Sequence, residues 1–246
     1  MTEITKSITY LKEYKKLKEA LLAGKTPLLA VGLSAIHKAH LAAALGAETG
    51  RPVFVLTDDD NAANRFASDL HAFSEKPVTV LPARDLVMAD VAGVSRGYEQ
   101  KRLAALDGLP EARFAVASVQ AAALRTLPPD ALGSASVTIR TGQEAPLDGL
   151  AQELTRAGYE RCTQVEGAGQ FSVRGGILDV FPPQAEHPYR VEFWDDEVDS
   201  IATFDVGSQR RLDTAEALRC LPCMETLPAL AKGGAAGLAK AVLGLL

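Results

Sequence analysis

Cysteine, aromatic residues and net positive charge are all scarce in this sequence of 246 residues. The three cysteines, Cys162, Cys220 and Cys223, are too few and too unevenly spaced for a disulfide framework, so we expect reduced thiols. With 26 Lys plus Arg against 31 Asp plus Glu, the net charge of −5 excludes a dedicated nucleic-acid-binding composition. Hydrophobic residues make up 47% and charged residues 23%, which is typical of a folded globular protein.

Long hydrophobic runs are also missing. The most apolar long stretch, residues 41–47, is far shorter than the roughly 20 residues that a membrane-spanning helix needs. The opening residues carry lysines without the apolar core of a signal peptide behind them. We therefore expect a cytoplasmic protein that neither crosses nor contacts a membrane.

The first half of the chain alternates short apolar runs with stretches of helical length. This pattern favours an α/β fold, in which crossover helices cover a parallel sheet. The predicted strands are residues 28–31, 52–56, 78–81 and 114–117, and the predicted helices are 36–48, 62–73, 96–106 and 119–124.

The pattern changes after residue 139, where strands follow one another through tight turns. One helix is predicted at residues 147–157, followed by strands at 161–165, 170–173, 177–181, 189–193 and 200–205. A short helix is expected from residue 212 to 219. The sequence thus predicts an α/β domain at residues 1–142, a small α+β domain at 143–212 and a return segment or truncated tail at 213–246.

One segment between a predicted strand and a predicted helix has the position of a phosphate-binding P-loop. Gly32 and Lys38 match the pattern G-x-x-x-x-G-K-[ST], but His37 replaces the second glycine and Ala39 replaces the hydroxyl residue. The first change removes backbone freedom around the phosphates, and the second removes a Mg²⁺ ligand. We interpret the segment as a degenerate nucleotide site or a plain strand–turn–helix connection.

The other chemical motifs are incomplete. Cys220 and Cys223 have C-x-x-C spacing, but a second half of a zinc site is missing and the pair is predicted to follow a helix. His37 and His40 lie three apart on a predicted helix without a third ligand. The acidic turn at residues 195–199 lacks calcium-loop spacing and is typical of a solvated face. The sequence therefore predicts no metal site and no catalytic nucleophile.

A more informative surface runs from Arg161 through Phe171 and Arg174 to Phe181. Arginines and aromatic residues anchor protein interfaces, because they combine contact area with directional bonding. Strand alternation predicts that Phe171 faces the core and that Arg174 is exposed. An ordinary solvated arginine remains an alternative for Arg174.

The second half resembles the bacterial transcription-repair coupling factor family (Mfd) and the corresponding part of the excinuclease protein UvrB. The resemblance is carried by GQFSVRGGILDVFPP at residues 169–183, PYRVEFWDDEVDSI at 188–201 and FDVGSQR at 204–210. It extends upstream to residue 28. It implies the N-terminal UvrB-homology module, a RecA-like domain of P-loop ancestry that holds an inserted UvrA-interaction domain.

The resemblance also implies which residues bind. Arg161 and Arg174 match basic positions that contact UvrA, the damage-recognition ATPase of nucleotide excision repair, and Phe181 completes the expected surface. Ser172 stands where UvrB has a further arginine. The resemblance implies no nucleotide hydrolysis and no cofactor for this chain, and the link between Pro82 and Tyr98 has no aromatic cluster for lesion insertion.

We therefore expect a non-catalytic, UvrA-recruiting module from a fragment or a short paralogue of the family. The family's ATP- and Mg²⁺-dependent motor and its contacts with RNA polymerase and DNA belong to parts outside this chain. One alternative is an ATP-dependent module that uses Lys38 and touches damaged DNA directly. Another is a purely structural spacer.

Overall fold

The computed structural model describes residues 2–84, 97–225, 227 and 231–244. Its α-helices are α1 (Glu3–Ser7), α2 (Lys12–Leu22), α3 (Ala35–Thr49), α4 (Asp60–Phe73), α5 (Gly97–Gly108), α6 (Val119–Ala123), α7 (Pro129–Ala135), α8 (Leu147–Arg156) and α9 (Gly234–Leu243). Its strands are β1 (Val53–Thr57), β2 (Val78–Leu81), β3 (Phe114–Ser118), β4 (Val137–Arg140), β5 (Glu160–Arg161), β6 (Gln170–Arg174), β7 (Ile177–Val180), β8 (Tyr189–Trp194), β9 (Glu197–Phe204), β10 (Arg211–Ala215) and β11 (Ala217–Cys220).

The chain divides into two units. Unit 1 comprises residues 1–89 and 108–125, and unit 2 comprises residues 90–107 and 126–246. Most of α5 therefore belongs to unit 2, although it precedes β3 of unit 1 in the sequence.

Unit 1 contains a parallel sheet of order β1-β3-β2, which confirms the predicted mixed α/β class with a parallel sheet. Small side chains on α3 and α4 allow these helices to lie close to the sheet, where Ala39, Ala43 and Ala63 pack with Phe114 and Val116. The carboxylate of Asp59 begins α4 by accepting a hydrogen bond from the Ala62 N–H at 2.7 Å.

The strand predicted at residues 28–31 is wrong. These residues belong to no strand, and Leu29 is 87% exposed. An apolar run forms a strand only where a neighbouring strand completes its hydrogen bonds, and among the described residues β1 ends the parallel sheet without a further partner. Local hydrophobicity was therefore an insufficient signal here.

Unit 2 is built on a six-stranded sheet of order β10-β9-β8-β7-β6-β5. Its pairs are antiparallel except for the short parallel pair of β5 and β6. Leu150 and Leu154 of α8 belong to the same hydrophobic core as Phe171 and Leu178 of the sheet. The predicted helix and sheet are confirmed, whereas the strand expected at 161–165 shrinks to β5.

The helix predicted at residues 212–219 is also wrong, because this segment forms β10 and β11. Its Ala, Glu and Leu residues favour a helix locally. Pairing of β10 with β9 and of β11 with β4 supplies the backbone hydrogen bonds instead. The Cys220–Cys223 pair consequently follows a strand rather than a helix.

The sequence also led to expectations about membrane-spanning helices and about the link between Pro82 and Tyr98. None of the helices in the described ranges has both the length and the apolar character that crossing a lipid bilayer requires. Most of the link expected between Pro82 and Tyr98, residues 85–96, lies outside the described residues.

Candidate protein-interaction surface

The six-stranded sheet has one apolar and one polar face. Residues directly opposite each other on paired strands share a face, so Phe171, Val180 and Tyr189 lie together on the side of α8. The next row, Ser172, Asp179 and Arg190, lies on the other side. This polar face carries Arg174, and the predicted division between a buried Phe171 and an exposed Arg174 is confirmed.

A buried carboxylate organises the polar face. Asp179 is only 1% exposed, and its Oδ2 accepts a 2.8 Å hydrogen bond from Nη2 of Arg174. Arg190 donates to the same carboxylate through Nε to Oδ1 at 2.7 Å and through Nη2 to Oδ2 at 2.8 Å. A buried charge is stable only when it is paired and hydrogen-bonded, and the two guanidinium groups meet that requirement.

Arg190 is fixed from several sides. Its Nη2 also donates to Oε1 of Gln209 at 3.1 Å, and its guanidinium carbon lies 4.6 Å from the centre of the Phe204 ring. The hydrogen bonds to Asp179 raise the pKa of Arg190 above its ordinary value. Arg190 is therefore held in place and in turn fixes the position of the Asp179 carboxylate.

Arg174 is the exposed end of this network. Its side chain is 50% exposed, and one guanidinium nitrogen is held by Asp179. A guanidinium has five N–H donors in a planar fork, so the remaining donors can reach a carboxylate or a carbonyl oxygen of a partner. Because Asp179 already restricts the side chain, less conformational entropy is lost when a partner binds.

Arg161 does not join Arg174. The register of β5 on β6 sets Arg161 opposite Phe171, on the side of α8. There it lines a cavity of about 430 Å³ together with Gln152, Arg156 and Phe171. The two predicted contact arginines therefore project from opposite faces of the sheet.

Phe181, the third predicted contact residue, and Ser172 lie elsewhere on the sheet. Phe181 is half-buried directly after β7, and its N–H donates to the carbonyl of Gln170 at 2.9 Å. Ser172 is buried beside Asp179, at the position where the resemblance implies a further arginine in UvrB. Both residues are less exposed than Arg174.

Sequence reasoning missed Asp179 and Arg190. The available signal was an aspartate between Leu178 and Val180 in an otherwise apolar strand, since a buried carboxylate needs a cationic partner. Which arginine serves as that partner depends on the register of β7 and β8.

The degenerate nucleotide loop lies in unit 1. Gly32 adopts a left-handed conformation with φ of 77°, and Ser34 precedes the first residue of α3. His37 is exposed, and its Nδ1 lies 3.0 Å from Oγ of Ser34, while Ala39 is buried in the core. Lys38 lines a cavity of about 670 Å³ with other polar and charged residues that include Thr57, Asp58, Arg65 and Asp69.

The other candidate ligands have structural roles. Cys220 and Cys223 are buried, and burial raises the pKa of Cys220 to about 12. His40 is buried, stacks on Phe73 at 4.5 Å between ring centres and places Nε2 3.1 Å from the Thr5 carbonyl oxygen. Within the described ranges, no three His, Cys, Asp or Glu side chains are grouped to hold a metal ion.

Comparison with known proteins identifies relatives for both units. The UvrB interaction domain family matches residues 137–225, which run from β4 to the segment after β11. The transcription-repair-coupling factor of Bacillus subtilis is 34% identical over 226 residues, or 89% of this chain and 19% of that protein. The corresponding protein of Myxococcus xanthus is 34% identical over 206 residues, or 80% of this chain and 17% of that protein.

A third relative gives the same result. The transcription-repair-coupling factor of Escherichia coli K12 is 33% identical over 189 residues, or 76% of this chain and 16% of that protein. The chain thus spans less than one fifth of the length of each of these relatives. It is homologous to part of the bacterial transcription-repair-coupling factors and contains a UvrB interaction domain at residues 137–225.

Proposed function

We propose that this chain is a non-catalytic recruitment module that binds UvrA during transcription-coupled nucleotide excision repair. The match of residues 137–225 to the UvrB interaction domain carries this proposal. The contacts with RNA polymerase and DNA, and the ATP-dependent motor, are assigned to the remainder of the full-length relatives. The proposed setting is the cytoplasm.

The geometry of Arg174 supports a docking role. Arginine is enriched among the residues that dominate binding energy, especially where it is held in place before the partner arrives. Arg174 is half exposed and tied to a buried carboxylate at 2.8 Å. We assign it the main ionic contact, and we assign Arg161 a separate contact on the opposite face.

The degenerate loop supports a module without ATP hydrolysis. A P-loop needs a strand, a glycine-rich turn and a helix in succession, but residues 28–31 before Gly32 form no strand. Ala39 offers no hydroxyl for Mg²⁺, so neither ATP nor a metal is assigned to the chain. We propose that unit 1, with its parallel sheet, has RecA-like P-loop ancestry.

Calorimetry of the whole chain with purified UvrA tests the proposal. The wild-type chain is expected to bind, and Arg174→Ala is expected to weaken binding about tenfold or more. Alanine is preferable to glutamate here, because a carboxylate at position 174 would face buried Asp179. Arg190 still pairs with Asp179 in this variant, so the sheet is expected to fold.

Arg211→Ala is the matched control. Arg211 is an exposed arginine on the edge strand β10, four strands away from β6 in the same sheet. It is expected to leave the affinity within about twofold, as most residues outside a hot spot do. Absence of wild-type binding would contradict the proposed function, whereas equal losses in both variants would contradict the assignment of Arg174.

A second candidate is the ATP-dependent module, which is favoured by the presence of Lys38 and Arg65 around one cavity. Two cations can hold a phosphate group. Titration with a fluorescent ATP analogue separates the candidates. Binding that disappears in Lys38→Ala would favour the second candidate, and absence of binding supports the recruitment module.

A further inference from the structure

Two hairpin turns meet at one end of the six-stranded sheet. The first follows Arg174 and contains Gly175 and Gly176, and the second contains Asp195 and Asp196 after Trp194. The N–H of Phe193 donates to the carbonyl of Gly176 at 2.8 Å, so the two turns are joined side by side.

The tryptophan beside the second turn is almost fully exposed. Trp194 is the single tryptophan of the sequence, and it is 80% exposed. Exposing an indole to water is unfavourable, and tryptophan is among the residue types most enriched at the centres of protein interfaces. Its position therefore indicates a contact that the isolated chain does not make.

Strand alternation sets Trp194 on the same face as Arg174. Phe193 packs against the core on the side of α8, so Trp194 points to the other side of β8. In the strand register, Arg174 pairs with Ile177 of β7, and Ile177 pairs with Glu192 of β8. Glu192 lies two residues before Trp194, so these two side chains point to the same face as Arg174. Strands β6 and β8 are separated by one strand, or about 10 Å, a distance that one partner surface can cover.

The surroundings of Trp194 are acidic. Asp195, Asp196 and Glu197 are all exposed. Among the described residues, no Lys or Arg nitrogen lies within 4.0 Å of these carboxylates. A partner that covers the indole must therefore bring positive charge to this end of the sheet, because an apolar partner would leave the carboxylates poorly solvated.

We infer that Trp194 is a second anchor of the UvrA-docking surface and receives a lysine or arginine side chain of the partner over its ring. Cations bind to the face of an indole, and the three carboxylates strengthen that attraction. The partner surface then carries a carboxylate opposite Arg174 and a cation opposite Trp194, an arrangement that fixes the docking orientation. This inference rests on the proposed function and extends it to a residue outside the predicted contact set.

The test compares UvrA binding of the whole chain with Trp194→Ala, Trp194→Phe and the double variant Asp195→Asn/Asp196→Asn. Asparagine is chosen because Asp195 has φ of 55°, a region that Asn tolerates. Trp194→Ala is expected to weaken binding about tenfold or more, and Trp194→Phe by less, because a phenyl ring holds a cation less strongly. The double variant is expected to weaken binding and to reduce its dependence on salt concentration.

Tyr10→Ala is the matched control, since Tyr10 is a 77% exposed aromatic residue in unit 1. It is expected to leave the affinity unchanged. Wild-type binding with equal affinities for Trp194→Ala and Tyr10→Ala would overturn this inference while the proposed function stands. Absence of wild-type binding would overturn both, and circular dichroism of every variant establishes that a loss of binding is not a loss of folding.

Discussion

At the scale of single residues, Asp179 determines how Arg174 is presented. Its buried carboxylate accepts hydrogen bonds from both Arg174 and Arg190. We predict that Asp179→Asn lowers the free energy of unfolding by about 2 kcal/mol. Asparagine keeps one acceptor oxygen and replaces the other by an NH2 donor, so at least one hydrogen bond from an arginine is lost and the others become bonds to a neutral amide. The partial exposure of both arginines keeps the loss below that of a fully buried ion pair. Urea unfolding followed by circular dichroism measures the change.

Asp213→Asn is the control for this prediction. Asp213 is exposed on β10 and is expected to change the unfolding free energy by less than about 0.5 kcal/mol. Equal stabilities of the two variants would show that the ionic network contributes nothing. Asp179→Asn is also expected to weaken UvrA binding, since Arg174 would lose its support.

Cys220 makes stability sensitive to alkaline pH. Burial raises its pKa from 9.0 to about 12, so the native chain keeps a proton that the unfolded chain releases. The stability linked to this thiol is complete below pH 9 and decreases as the pH rises towards 12. We predict a fall in urea midpoint between about pH 9 and 10.5 that is less steep in Cys220→Ala. Identical slopes for the two proteins would contradict the prediction.

At the scale of elements, a glycine in α3 allows this helix to lie close to the parallel sheet. A Cβ on Gly46 would lie 2.7 Å from a ring carbon of Phe114, which is fully buried in β3. We predict that Gly46→Ala lowers the free energy of unfolding by about 1–3 kcal/mol through overpacking, despite the better helix propensity of alanine. Thermal unfolding measures the effect.

Gly149→Ala is the matched control in α8. Apart from its chain neighbours and the backbone of its own helix, nothing lies within 4 Å of a Cβ built on Gly149. The change is expected to stabilise the protein by about 0.5–1 kcal/mol, because alanine reduces the entropy of the unfolded chain. A destabilised Gly149→Ala together with a neutral Gly46→Ala would contradict the packing explanation.

The sequence predicted most elements but not their pairing. Amphipathic periodicity located α3 and α4 within one or two residues, and period-two alternation distinguished Phe171 from Arg174. The strand predicted at residues 28–31 was wrong because, among the described residues, no neighbouring strand pairs with it. The helix predicted at residues 212–219 was wrong because pairing with distant strands overrides local helix preference. The separation of Arg161 from Arg174 depends on the parallel register of β5 on β6, and a two-residue strand carries no recognisable alternation.

At the scale of the whole molecule, an ion pair ties α5 to the end of the interaction domain. Arg102 and Glu225 are both buried, with 3.2 Å between Nε and Oε2, and Oε1 of Glu99 accepts from the Glu225 N–H at 2.7 Å. We predict that Arg102→Met lowers the free energy of unfolding of unit 2 by about 3–5 kcal/mol, because it removes the cation that faces a buried carboxylate. Hydrogen exchange is expected to accelerate in both α5 and residues 217–225.

Arg219→Ala is the matched control for this link. Arg219 of β11 pairs with Asp107 of α5 at 2.7 Å, but both side chains are partly exposed. Its loss is expected to cost at most about 1 kcal/mol. Unchanged exchange in α5 of the Arg102→Met variant would show that the helix is held by other contacts.

The buried pair of Arg102 and Glu225 joins residues inside and outside the segment that matches the family. The family match covers residues 137–225, yet Glu225, its last residue, pairs with an arginine that precedes the match in the sequence. A recombination event that moved only residues 137–225 into another protein would transfer the carboxylate without its counter-ion. A segment that begins at α5 would keep the pair, but it would also carry β3, whose strand partners β1 and β2 precede α5 in the sequence.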